Sequence, residues 1–346
     1  MNNIDRSRDT VLRGMLLLAC LVIVMIGIRL AAPIIVLLLL ALFLAIVLEP
    51  LIVMMSRLGL PRLAAIALLS VSLLIALLLS LVKIMGALPE LTQMIAQMRG
   101  LLAAHLITVL EPLTRAGLSL TPDEVMALID PSQLLRMATR TVGRISGILS
   151  AVLVVFLMVI FMLIEAPALA AKSHRLLRHS SAGIDAIRQG IGYVTHYLVL
   201  KTLISLLSGL AVWAALFLLN VKFSFIWGVL AFLLNFIPVV GSVVAAVPPL
   251  IQAFLFNGFA TGALVLLAFL LINLIVGCLL DPYLIGRKLN LSTSTVIISL
   301  LVWEGLLGMT GVLLAVPLTM SVKLTLEQIR GGRKLAFLLA AKAPGA

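Results

Sequence analysis

Two apolar stretches of this chain, residues 225–257 and 291–327, are too long and too interrupted to be ordinary membrane spans, and they resemble each other. The first holds Trp227, then Gly241, then a small apolar run ending in A-V-P at Pro248. The second holds Trp303, then Gly311, then an A-V-P ending at Pro317. A bilayer-crossing helix needs about 20 apolar residues, and each stretch offers more than 30. Glycine and proline inside them predict helices that are broken or turned back. Within a membrane such backbone is tolerated only where it is buried in protein or lines a cavity. Paired, Gly/Pro-interrupted segments are the sequence pointer to a transporter's binding site.

The rest of the chain agrees with a membrane setting. It has 346 residues, 63% of them hydrophobic and 11% charged, and a mean hydropathy of +1.28. A soluble domain is nearer half apolar and a quarter charged. The net charge of +12 does not point to nucleic acid, because the Lys and Arg sit in short loops between apolar runs, as the positive-inside rule expects. Cys20 and Cys278 fall inside apolar runs and read as small hydrophobes rather than as a disulfide framework. The N-terminal tail carries Arg6, Arg8 and Arg13 ahead of an apolar run, but no small-residue cleavage site follows, so the run reads as a retained first helix.

The expected fold is all-α and polytopic, with about eight apolar segments at 14–28, 31–48, 63–86, 148–165, 201–219, 226–256, 258–280 and 291–326. Glu49-Pro50 closes the second run. The expected organisation is N-terminal transmembrane helices over 1–86, an external helical insertion over 87–147, and transmembrane helices over 148–219 that include a basic amphipathic cytoplasmic segment at 166–200. A transport core over 220–327 and a cytoplasmic tail over 328–346 follow. In the insertion, Leu91, Met94, Ile95, Met98, Leu101 and Leu102 recur at helical spacing, and Thr121-Pro122-Asp123-Glu124 is a helix start. If 226–256 is a re-entrant hairpin, Arg287 and Lys288 become cytoplasmic and the two long stretches form an inverted pair. If it crosses once, those two charges lie outside. The hairpin reading satisfies the charge bias better, and under either reading both termini are expected in the cytoplasm.

No metalloprotease, nucleophile-elbow or P-loop pattern occurs, and the four His lack metal-ligand spacing. No enzyme, cofactor or metal site is expected. Among charges in or beside apolar runs, Glu49, Lys83, Glu165, Lys201 and Asp281 sit at run ends, where snorkelling is the ordinary explanation. Glu304 lies deeper, beside Trp303 and Gly305, and is either an ion-coupling carboxylate or a residue near the interface. Asp281 and Lys201 are the further ion-coupling candidates. The uncharged site candidates are Asn235, three residues before Pro238, and Ser242, which follows Gly241. Asn273 reads equally as a site residue or as a helix–helix hydrogen bond.

At these residues the chain resembles a known family. F-x-W-G-x-L-A-F-x-L-N-F-I-P-x-x-G-S-x-x-A-A-V-P-P (225–249), D-P-Y-L-I-G-R-K-L-N-L-S (281–292) and L-L-G-x-x-G-x-L-L-A-V-P-L (306–318) are similar to the autoinducer-2 exporter (AI-2E) family of bacterial membrane proteins. H-Y-L-V-L-K-T (196–202), L-L-I-N-L-I-V-G (270–277) and I-R-L-A-A-P-I-I-V (28–36) extend the resemblance over nearly the whole chain. The resemblance implies export of a small polar metabolite such as the quorum-sensing signal autoinducer-2 across the bacterial cytoplasmic membrane. It also implies a homo-oligomer, pentameric in the family's usual description, in contact with membrane lipid. Other members resemble sodium/proton antiporters. The family pattern has His-Pro where this chain has Ser292-Thr293. The rival functions are therefore a cation-coupled antiporter, which needs a titratable carboxylate in the membrane, and a non-transporting scaffold or receptor built around the insertion.

Overall fold

The computed structural model describes residues 3–115, 145–176, 183–238, 240–285 and 291–328, with Gly332, Ala336 and Leu339 beyond them. Among the described residues every regular element is a helix, and seven helices are long and apolar enough to cross a membrane. This is an all-α, multi-pass membrane protein. Large apolar side chains stand exposed along the helices (Leu30 is 79% exposed, Phe217 65%), as a lipid-facing surface requires.

Helix α1 spans Asn3–Leu30, α2 Ala32–Arg57, α3 Arg62–Arg115, α4 Ile145–Leu176 and α5 Gly183–Leu218. Helix α6 spans Ser224–Leu234, and α7 spans Val240–Gln252 and runs into a π-helical turn over Ala253–Asn257. Helix α8 spans Phe259–Asn273 and continues as a π-helical stretch over Leu274–Ile285; α9 spans Thr293–Leu313 and α10 Ala315–Gln328.

Three helices pass through sequence signals expected to mark ends. Helix α2 continues through Pro50 to Arg57. Proline lacks only one donor and disturbs one preceding turn, and the wholly buried Ile52 holds the segment in place. Helix α3 passes the expected boundary at 86/87 without a break and is helical to Arg115. Thr121–Glu124 lies outside the described residues. Helix α5 runs unbroken across 200/201, so its polar first half and apolar second half are one rod. Cys20 is exposed rather than buried.

The chain forms two compact units. One comprises Met1–Val53, Leu157–Leu200 and Ile285–Ala346, and the other Met54–Phe156 and Lys201–Leu284. The segment expected as one transport core, 220–327, is thus shared between them, with one broken stretch in each. In the first unit α1 packs against α9 and α9 against α10. In the second, α6 packs on α7, and α7 with its π turn packs on α8. Val212, Leu216, Trp227, Leu234, Ala245 and Val265 form its buried centre.

Within the second unit α5 and α6 meet at backbone distance. A methyl group on Gly209 would come within 2.7 Å of Phe232 Cβ and 2.8 Å of the Gly228 carbonyl oxygen. One on Gly228 would come within 2.7 Å of Trp213 Cβ. Small residues at a crossing allow this approach where lipid supplies no hydrophobic drive. Beside it, the Trp213 and Phe225 rings sit edge to face at 6.4 Å. Lys83 does not simply extend to water, since its ammonium lies 5.1 Å from the Phe225 ring centroid, a cation–π distance.

Candidate functional site

Both long stretches turn back on themselves. In the first, α6 has 11 residues, about 16 Å of helix, roughly half of a bilayer's hydrocarbon core. It ends at Asn235, the chain turns through Pro238, and α7 begins at Val240. The turn pairs much of its own backbone: the N–H groups of Asn235, Ile237 and Gly241 donate to the carbonyls of Ala231, Leu234 and Ile237. The backbone around Pro238 and Gly241 is therefore mostly paired locally. Gly241 is where the arms touch, because a Cβ there would overlap the Leu234 carbonyl. Far from the tip, the Trp227 indole N–H donates to Gln252 Oε1 at 2.8 Å, and Gln252 Nε2 donates to the Lys222 carbonyl at 2.9 Å. One wholly buried amide thus closes the base of the hairpin.

The second stretch repeats this arrangement in the other unit. By length alone Ser294–Leu313 is a candidate span, but Gly308 has φ 64° and ψ −150°, which no helix contains. The first arm is therefore residues 293–307, about 22 Å long, and residues 309–328 form the second. Gly311 marks the contact, since its Cβ would overlap the Trp303 carbonyl. The Trp303 indole donates to Thr319 Oγ1 at 3.0 Å. Each hairpin thus has a Trp in its first arm tied to a polar side chain in its second, with a glycine between them. Pro317 is buried in α10 behind that contact. Where the family pattern has His-Pro, Ser292 caps α9, its Oγ accepting from the Thr295 N–H at 3.1 Å.

The expected site residues separate. Asn235, Ser242 and Asn273 line one cavity of about 240 Å³ with Ser208, bounded otherwise by apolar side chains such as Val212, Leu250 and Phe269. Among the described residues, no ionisable group lines it. Asn235 Nδ2 donates to Ser205 Oγ on α5 at 3.0 Å, so the amide anchors a helix and still faces the cavity. Pro238 forms the tip turn and Gly241 the neck beside the cavity. Pro248 lies within α7 and is not among the lining residues. Gly311 and Pro317 belong to the second hairpin.

Of the three charged candidates, two meet each other. Lys201 Nζ lies 3.0 Å from Asp281 Oδ2. Snorkelling does not describe this lysine: its apolar helix begins at Gly192 rather than at Lys201, and the residue is 4% exposed. The second oxygen of Asp281, Oδ1, is buried without a hydrogen-bond partner among the described residues. Asp281 lies on the π-helical continuation of α8, whose last regular residue is the cavity-lining Asn273. Glu304 is exposed and lines an open cavity of about 450 Å³ with Arg29, Pro33 and Gly308, all in the first unit. Arg287 and Lys288 lie outside the described residues, as does the side chain of Cys278. Sequence reasoning missed Gln252 and Thr319. The signal was present: each is a hydrogen-bonding side chain in a largely apolar run, and such a group buried in protein must find a partner.

Comparison with known proteins extends the picture to the whole chain. The model of the AI-2E family transporters matches residues 18–331. The chain is 44% identical over 329 residues to the AI-2 transport protein TqsA of Escherichia coli (strain K12), covering 95% of both. A provisionally named transport protein of that strain, YhhT, is 40% identical over 325 residues, covering 94% of this chain and 93% of its own. Another, from Haemophilus influenzae, is 38% identical over 336 residues, covering 94% and 96%. Both hairpins lie inside the matched region, and with that breadth of identity the chain belongs to the AI-2E family of transporters.

Proposed function

We propose that this transporter exports a small, neutral, hydroxyl-rich metabolite of the autoinducer-2 type, and that the cavity beneath the tip of the first hairpin is its cargo site. The observation that carries this reading is the meeting of Asn235, Ser242 and Asn273 with Ser208 in one cavity without ionisable lining. Amides and hydroxyls offer both donors and acceptors, which suits a polyol better than a cation. The likeness to a protein named for AI-2 transport supports the same cargo class. The proposal includes residence in a bacterial cytoplasmic membrane as a homo-oligomer surrounded by lipid.

Asn235→Leu tests it. The substitution keeps size and removes the polar edge. Efflux of autoinducer-2 from reconstituted vesicles is expected to fall at least tenfold. The lost bond to Ser205 costs only about 0.6 kcal/mol, the average for such bonds in membranes, so thermal stability in detergent should change little. Normal efflux from this variant would remove the cargo site from the first hairpin.

A second reading, coupling to a cation gradient, is favoured by the exposure of Glu304 in an open cavity beside the break at Gly308. If Glu304 carries the coupling ion, Glu304→Gln abolishes the response of efflux to an imposed proton or sodium gradient and leaves assembly intact. A variant that still responds to the gradient takes this residue out of the mechanism.

A further inference from the structure

The base of the first hairpin carries a second cavity, of about 410 Å³, that shares no lining residue with the first. Three elements of the same unit build it. Helix α3 contributes Glu90, Gln93 and Gln97, which the i, i+3, i+4 spacing places on one face. The turn between α5 and α6 contributes Asn220 and Lys222, and the end of the hairpin contributes Gln252, Phe256 and Asn257.

The construction is unusual for a chain this apolar. Four exposed amide side chains, Gln93, Gln97, Asn220 and Asn257, converge over the buried Gln252, each with donors and an acceptor. Lys222 Nζ and Glu90 Oε1 pair across the cavity edge at 3.2 Å, so the wall presents both charges with no net charge. Phe256, 38% exposed, supplies an apolar face. Two of the five amides are fixed from behind: Gln252 by Trp227 and the Lys222 carbonyl, and Asn257 by its donation to the Asn220 carbonyl at 3.2 Å. The turn that carries Lys222 is strained, with Asn220 at φ 53° and Phe223 at φ 60°. Phenylalanine rarely adopts that region, and such conformations persist where surrounding structure enforces them, often at ligand sites.

We infer that this cavity is a second binding site for a neutral, hydroxyl-rich small molecule. Amides beside a balanced ion pair match hydroxyl groups, and the absence of net charge disfavours anions and cations alike. The inference rests on the export reading in one respect only, that the ligand class is the cargo class. The site would then be a stop outside the proposed cargo cavity, near the insertion over 87–147 that is expected to be external.

The test is equilibrium dialysis of tritiated ribose against the detergent-solubilised full chain. Three proteins are compared: wild type, Gln93→Leu/Gln97→Leu, and Asn235→Leu. Both glutamines are exposed, so their replacement leaves the core intact, which thermal unfolding confirms. Saturable binding is expected in wild type and in Asn235→Leu, with affinity at least tenfold weaker in the glutamine double variant. Trp227 fluorescence, followed in a Trp213→Phe/Trp303→Phe background, should shift on ligand addition, because that indole holds Gln252. No saturable binding in wild type, or binding unchanged in the glutamine variant, overturns the inference. Binding lost only in Asn235→Leu overturns it as well, by placing the ligand in the first cavity. The export reading is decided separately, by efflux from the Asn235 variant.

Discussion

Gly241→Ala should prevent the first hairpin from closing. The added methyl group would occupy the position of the Leu234 carbonyl, which is backbone and cannot rotate aside. Overpacking of a tight contact costs about 1–3 kcal/mol and sometimes more, and a clash with a main-chain oxygen belongs at the upper end. The expected result is a large fall in melting temperature in detergent with loss of efflux. Gly311→Ala should behave alike in the second hairpin, because its methyl group would meet the Trp303 carbonyl. Gly305→Ala is the control. Nothing lies within 4 Å of a Cβ there, and alanine is the better helix former by up to about 1 kcal/mol. If Gly241→Ala melts with wild type while Gly305→Ala does too, the tips are not closed as described.

The second large effect is expected at Lys201. Lys201→Met removes the only described partner of Asp281 Oδ2 and leaves a carboxylate that is 28% exposed facing apolar helix. Breaking one side of a buried pair costs about 3–5 kcal/mol, and the residual exposure of Asp281 argues for the lower figure. Lys201→Met/Asp281→Asn should recover most of that loss, because neither charge is then stranded. A double-mutant cycle on thermal stability measures the coupling directly. A cycle with no coupling energy would show that the two groups do not depend on each other. Efflux adds a separate discrimination. If the pair only holds α5 to the α8 continuation, the stable double variant exports normally. If Asp281 exchanges an ion, the double variant is stable and has lost its response to a gradient.

What the sequence disclosed and what it hid follow from the range of the forces involved. The hairpins were legible because their determinants are local: Pro238, Gly241 and Gly311 punctuate apolar runs of more than 30 residues, where a bilayer needs about 20. Asn235 and Ser242 were legible for the same reason, as they lie within four residues of those breaks. Asn273 joins them in lining the cavity only through the packing of α7 on α8, so no local signal marked it as their neighbour. The Lys201–Asp281 pair is separated by 80 positions, and no periodicity links residues so far apart. Hydropathy placed a boundary at 86/87, but it reports where lipid ends and not where helix ends. The apolar spacing from Leu91 to Leu102 already described a helix, and α3 continues into it. Proline at position 50 misled in the opposite direction, since one missing donor does not stop a helix whose following turn is packed.

The contact of Gly209 with Gly228 bears on which wall of the cavity lined by Asn235 and Asn273 can move. Two helices that touch through main chain have no side chains between them to reorient, so α5 and the first arm of the hairpin slide or tilt only as one body. The tie from Asn235 to Ser205 adds a fastening on the same side. Opposite them stands α8, which contributes Asn273 and then loosens into wider π winding before it reaches Asp281. The cavity therefore has a fixed jaw and an adjustable one. If cargo binds there, as proposed, it meets the hairpin on one side and Asn273 of α8 on the other.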